Sequence, residues 1–72
     1  MLCEIIDIIC EYVDADPASV SADSNLRADL GATSFDLMNV AVAIEERYAV
    51  SIPDSALPSI RIVGDILRLL EG

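Results

Sequence analysis

Few residues in this chain are equipped for chemistry. Its 72 residues include no His and no Lys, leaving two Cys, the hydroxyl residues, four Arg and thirteen Asp plus Glu. The stretch DLGATSFDLMNV, Asp29 to Val40, places Ser34 between a glycine-bearing turn and an apolar run with helical spacing. A serine in that position is a helix cap, a nucleophile or a point of attachment. As a nucleophile it needs a base, and carboxylates alone are poor activators of a serine hydroxyl at neutral pH. Hydrolase chemistry is strongly disfavoured. As a cap it is reasonable, because Ser or Thr at a helix start accepts from free amides, and Thr33 with Asp36 three residues on approximates a capping box. Thr33 can fill that role alone, which frees Ser34. A hydroxyl in a first helical turn is also where a phosphodiester is best tolerated, since the free amides and the helix dipole favour negative charge.

The elements that must position Ser34 follow from periodicity. In LCEIIDIICEYV, Leu2, Ile5, Ile6, Ile9 and Val13 recur at helical spacing, with Glu4, Asp7 and Glu11 mostly on the other side. The run from Asp14 to Thr33 is rich in Asp, Ser and Ala, is broken by Pro17 and Gly31, and reads as a long loop anchored by Val20, Leu26 and Leu30. Loops of that length in so small a domain usually serve a function or are tethered by such anchors. A second helix is expected from Thr33 or Ser34 to about Tyr48. Leu37, Val40, Ala41, Ile44 and Tyr48 form one stripe of it, and Phe35, Met38 and Val42, beside Asn39 and Glu46, fall opposite. Only one apolar face is easily buried in a small bundle, so the second is a candidate docking surface; the alternative is that a loop covers it. After Tyr48, Pro53 and Pro58 leave room for a one-turn helix with Asp54 as its N-cap. A last helix carries Val63, Ile66, Leu67 and Leu70 and ends on Gly72, with Gly64 expected to permit a close helix contact. The fold class is all-α: a small four-helix bundle of three main helices and one short one, forming a single domain over residues 1–72, with a long loop between the first two helices.

Composition narrows the partners. A 54% hydrophobic content with three Gly and three Pro indicates a packed core rather than a disordered tail. The net charge of −9 disfavours nucleic acid and anionic membrane surfaces and favours encounter with basic proteins. Cys3 and Cys10 lie two helical turns apart, about 10 Å along a helix, too far to bridge. Two unpaired thiols, with no secretory signal and no membrane span, point to the reducing cytoplasm.

The block DLGATSFDLMNVAVAIEERYAVSIPD resembles the core of the acyl carrier protein family, whose prosthetic-group serine lies in Asp-Leu-Gly-Ala-Asp-Ser-Leu-Asp, followed by a Glu-Glu helix end and Ile-Pro-Asp. Glu45-Glu46, Ile52-Pro53-Asp54 and Val63-Gly64-Asp65 stand at matching spacings, and the likeness covers nearly the whole chain. The resemblance implies a four-helix fold in which Ser34 carries 4'-phosphopantetheine, holding acyl or aminoacyl groups as thioesters for separate enzymes. It implies a non-catalytic monomer serving a phosphopantetheinyl transferase and acyl-loading and acyl-processing enzymes with basic docking patches, in fatty acid, polyketide or related biosynthesis. Phe35, Met38 and Val42 are then apolar partner contacts and Asp36, Glu45 and Glu46 acidic ones, with Asn39 beside them. Several positions depart from the pattern. Thr33 stands in place of the acid before the serine, Phe35 in place of Leu, Asn39 where fatty acid carriers often have Glu, and Leu57-Pro58 shortens the third helix. These changes tilt the expectation toward a specialised polyketide or aminoacyl pathway.

Rival readings are an acidic helical adaptor using the same face without a prosthetic group, and a calcium loop in DADPASVSADSN. The calcium loop fails because Ala18 falls at a ligand position, Ser19 at the turn glycine and Asn25 at the closing Glu. Leu26, Ile44, Tyr48, Ala56, Leu57 and Ile60 are candidates to line an acyl chamber, with ordinary core packing the preferred role.

Overall fold

The computed structural model describes residues 1–71; the expected helix end at Gly72 lies outside them. Three α-helices, α1 (Leu2–Tyr12), α2 (Ser34–Tyr48) and α3 (Val63–Glu71), are joined by a long loop containing a 3-10 turn (Pro17–Ser19) and by a connection containing a 3-10 helix (Asp54–Ser59). There is no strand among the described residues, only an isolated antiparallel bridge between Asn25 and Ile62. The all-α bundle is as expected. The short fourth helix is a six-residue 3-10 segment instead of one α-turn, since Pro58 inside it has no N–H to donate and would clash with the i−4 carbonyl of an α-helix; Asp54 is its first residue, and Pro53, not Asp54, occupies the cap position.

α1 buries Ile5, Ile6, Ile8 and Ile9 against α2 and α3, and α2 contributes Leu37, Val40, Ala41 and Ile44. Val63 and Ile66 complete the core from α3. Among the loop anchors, Val20 and Leu26 are buried and Leu30 is partly so. The loop is stitched to the start of α3 rather than left free: the Leu26 amide donates to the Arg61 carbonyl at 2.9 Å, Val63 to Ser24 at 3.1 Å and Gly64 to Ala22 at 2.8 Å. Gly64 therefore does permit a close approach, but to a loop carbonyl. A Cβ there would stand 3.2 Å from the Ala22 oxygen, so the neighbour is backbone and not the helix expected from sequence.

The ends of the helices are locally determined. α2 stops at Ala49, which adopts the left-handed conformation (φ 55°) and donates its amide to the Glu45 carbonyl. At the start of α3 the Asp65 carboxylate accepts from the Arg61 amide at 2.9 Å and the Ile62 amide at 3.1 Å, and the Arg68 guanidinium lies 2.9 Å away. The Arg61 and then the Ile62 amide hold this carboxyl below its ordinary value of 3.8, with the Arg68 charge adding less and partial burial opposing. A depressed folded-state pKa favours the ionised group, so its stabilisation is complete above the ordinary value and is lost as pH falls through the lower folded one. Thermal melts of Asp65→Asn should show a deficit at pH 7 that narrows below pH 3.8. A deficit constant between neutral and acid pH would show that the carboxylate's charge plays no part.

Arg47 reaches across from α2 to Glu4 of α1 at 2.7 Å, an exposed pair worth under about 1 kcal/mol. The neighbouring Tyr48 hydroxyl is buried without a hydrogen-bond partner. Burial first, and then the Glu4 charge, raises its pKa, with the Arg47 charge opposing. No helix among the described residues is long and apolar enough to cross a membrane.

Candidate functional site

Ser34 is the first residue of α2, and the sequence before it explains why it is free. Thr33 is the cap: its Oγ1 accepts from the Asp36 amide at 3.2 Å, and the Asp36 carboxylate accepts from the Thr33 amide at 3.0 Å, closing a capping box. The amides of Ser34 and Phe35 are not taken by this box. With the helix sealed one residue earlier, the Ser34 hydroxyl is exposed and points away from the core.

The turn leading to it is shaped by two constraints. Gly31 has φ 70°, where any other L-residue costs about 1–2 kcal/mol, although a Cβ would meet nothing within 4 Å. Its neighbour Ala32 is buried and donates to the Leu26 carbonyl at 2.8 Å, so the buried Leu26 fixes where the turn enters α2. Upstream, Asn25 Oδ1 accepts from the amides of Arg27 and Ala28, and Asp29 accepts from the Asn25 amide at 2.7 Å. This tight turn carries the Arg27 side chain to Ser34, where its guanidinium donates to Oγ at 2.7 Å.

Sequence reasoning missed Arg27. The available signal was that it is the sole cation between Asp14 and Ser34. With Ser34, Leu37, Met38, Leu57 and Pro58 it lines an open, largely apolar cleft of about 200 Å³ beside the serine.

The outer face of α2 is uncovered. Phe35, Met38 and Val42 are 72%, 50% and 52% exposed, so no loop lies over them. Asn39 is half-buried beside them and Glu46 is exposed at the far end. The other two acids have internal partners: Asp36 is in the capping box, and one oxygen of Glu45 accepts from the Ile52 amide at 2.8 Å, tying the helix end to the following turn. Of the candidate chamber residues, Leu26, Ile44 and Ile60 are buried and Tyr48, Ala56 and Leu57 partly buried. The void that Ile44 and Ile60 share with Ile52 and Ile66 is only about 10 Å³, room for one water-sized probe, so these residues pack the core. Cys3 and Cys10 are free thiols, and burial, then Asp7 and Asp16, pushes Cys10 up and keeps it protonated.

The exposed hydroxyl offers an attachment point, and the arginine 2.7 Å from it and the open first turn of a 15-residue helix are the donors a phosphate group tethered there would meet.

Known proteins include relatives of this chain. Residues 3–70 match the family model described as the phosphopantetheine attachment site. The chain is 35% identical over 72 residues, all of this chain and 90% of its relative, to an acyl carrier protein of Prochlorococcus marinus (strain MIT 9515). It is 34% identical over 68 residues, 94% of this chain and 90% of the relative, to an acyl carrier protein of Wolinella succinogenes.

Proposed function

Because the chain belongs to the acyl carrier protein family and contains its phosphopantetheine attachment domain, we propose that Ser34 is the residue that bears 4'-phosphopantetheine and that α2 presents the loaded arm to partner enzymes. The carrier role and the cofactor come with the family. What supports Ser34 in particular is its hydroxyl, exposed at the start of α2 and released from capping by the Thr33–Asp36 box. When bound, the group supplies a long arm ending in a thiol on which an acyl group is held as a thioester. The chain's own residues hold the phosphate end, keep the attachment point in solvent and offer a docking face. They perform no bond-making themselves, which accords with a chain lacking His and Lys.

Incubation of the apo protein with coenzyme A and a broad-specificity phosphopantetheinyl transferase tests this reading, with intact-mass measurement as the readout. One added phosphopantetheine supports it. No mass gain across several transferases favours the second reading, an acidic adaptor without a prosthetic group, for which the exposed Phe35, Met38 and Val42 are the motivating observation.

Docking is assigned to that same apolar patch, with Glu46 as the available carboxylate and Asp36, Asn39 and Glu45 supporting the helix around it. Central apolar anchors account for most of an interface's energy, and rim charges act mainly on encounter. Phe35→Ala and Met38→Ala should therefore each lower the transferase kcat/KM roughly 5- to 30-fold, the equivalent of about 1–2 kcal/mol, with the helical circular dichroism unchanged. An unchanged kcat/KM in both variants would place docking elsewhere. The cargo proposed is an acyl or aminoacyl group of fatty acid, polyketide or related biosynthesis, with Thr33, Phe35, Asn39 and Leu57-Pro58 inclining it to a specialised pathway. A monomer working in the cytoplasm completes the proposal.

A further inference from the structure

Arg27 is set apart from the two other arginines whose side chains have close partners. Arg47 is paired with Glu4 and Arg68 with Asp65; Arg27, like Arg61, forms no ion pair among the described residues, but its guanidinium donates to the Ser34 hydroxyl. In a chain of net charge −9, an arginine aimed at a neutral oxygen while acids abound is conspicuous. A phosphorus bonded to Ser34 Oγ brings two non-bridging oxygens, which share one negative charge, into the space the guanidinium already reaches. The planar fork of Arg matches that pair in a way a point charge does not.

We propose that Arg27 clamps the phosphodiester on Ser34 and so biases the arm to lie along the cleft walled by Leu37, Met38, Leu57 and Pro58 instead of swinging freely. This rests on Ser34 being the attachment point. Arg27 is here a positioning residue. It stands at the mouth of the cleft, and the apolar walls beyond it suit the methyl-bearing stretch of the arm next to the phosphate. The turn that holds Arg27 is secured by the two Asn25 side-chain contacts and the Leu26 anchor, so the guanidinium is presented from a fixed base. The pair is solvent-exposed, which limits the bias toward the docked arm to roughly fivefold and makes it sensitive to salt.

The test uses the full-length holo protein, its loading first verified by mass, as the unmutated chain, Arg27→Met and Arg27→Lys. Nuclear magnetic resonance then reads three signals: the phosphorus shift, the Arg27 side-chain N–H, and magnetisation transfer from the arm's geminal methyls to Leu57. Expected on loading is movement of the Arg27 signal with those of Arg47 and Arg68 unmoved. Transfer to Leu57 should fall, by at most about fivefold, in Arg27→Met and in the unmutated protein at 1 M salt, with Arg27→Lys intermediate. Phosphorus and arm signals that are the same in fully loaded unmutated and Arg27→Met proteins would overturn the clamp while leaving the carrier reading intact. Failure of the unmutated chain to gain mass would instead remove the attachment point, and the clamp with it.

Discussion

Ser34→Ala should abolish loading outright, with no phosphopantetheine mass gained under conditions that convert the unmutated chain completely, and should leave the melting temperature within about 2 °C. The effect on loading is all-or-none because alanine supplies no oxygen to bond to phosphorus, and no geometry elsewhere can replace it. The small effect on stability follows from the capping box. Removing a serine that caps a helix costs about 0.5–2 kcal/mol, typically about 1, which is roughly 4–8 °C for the typical case in a domain of this size. Here Thr33 does the capping, so Ser34→Ala deletes only an exposed hydroxyl and its contact with Arg27. Thr33→Ala is the informative contrast, since it should lower the melting point while loading persists. Modification of Ser34→Ala at another hydroxyl would refute the assignment, and a large loss of stability would refute the capping argument.

Leu26→Ala should produce the largest loss of stability that this structure permits from a residue outside the helices. Leu26 is 1% exposed, and truncation of a buried leucine costs about 3 kcal/mol through lost burial and the cavity left behind. A 72-residue domain has only roughly 4–11 kcal/mol in total. A melting point lower by more than about 10 °C is expected. The consequence reaches the site, because the same residue's carbonyl receives the Ala32 amide and its amide meets the Arg61 carbonyl. Hydrogen exchange at Gly31 and Ala32 should therefore accelerate beyond the global change, as the turn before Ser34 loses its anchor. A drop of under about 4 °C, or exchange that rises evenly over the chain, would show that the turn is held by something other than Leu26.

Much of this architecture is legible in the sequence because burial decides it. The spacing of Ile5, Ile6 and Ile9, and the stripe of Leu37, Val40, Ala41 and Ile44, can satisfy water and core together only as helices. The two apolar faces of α2 were equally readable, and the bare Phe35, Met38 and Val42 follow from a bundle with too few elements to cover both. What periodicity does not carry is where a side chain reaches once the backbone turns. Arg27 meets Ser34 because Gly31 bends left-handed and Leu26 is drawn into the core, neither of which is a repeat. Glu45 turns inward because the chain reverses at Ala49 and returns the Ile52 amide to it. Gly64 meets a loop carbonyl, not a helix, because Ala22 is brought to α3 by the loop's own path. Pro53 and Pro58 foretold a short helix, and the tighter 3-10 winding followed from Pro58 lying inside it.

The inward turn of Glu45 has a bearing on how this molecule would be told apart by its enzymes. Of the three acids expected to form an ionic address along α2, two already serve the helix itself, and the freely offered carboxylate is Glu46. If partners dock on this face as proposed, it would be read chiefly through shape and the release of water from Phe35, Met38 and Val42, with a negative heat-capacity change as the thermodynamic signature. Discrimination among competing enzymes would then fall to the size of the pocket each can offer an aromatic ring, more than to how many positive charges it displays.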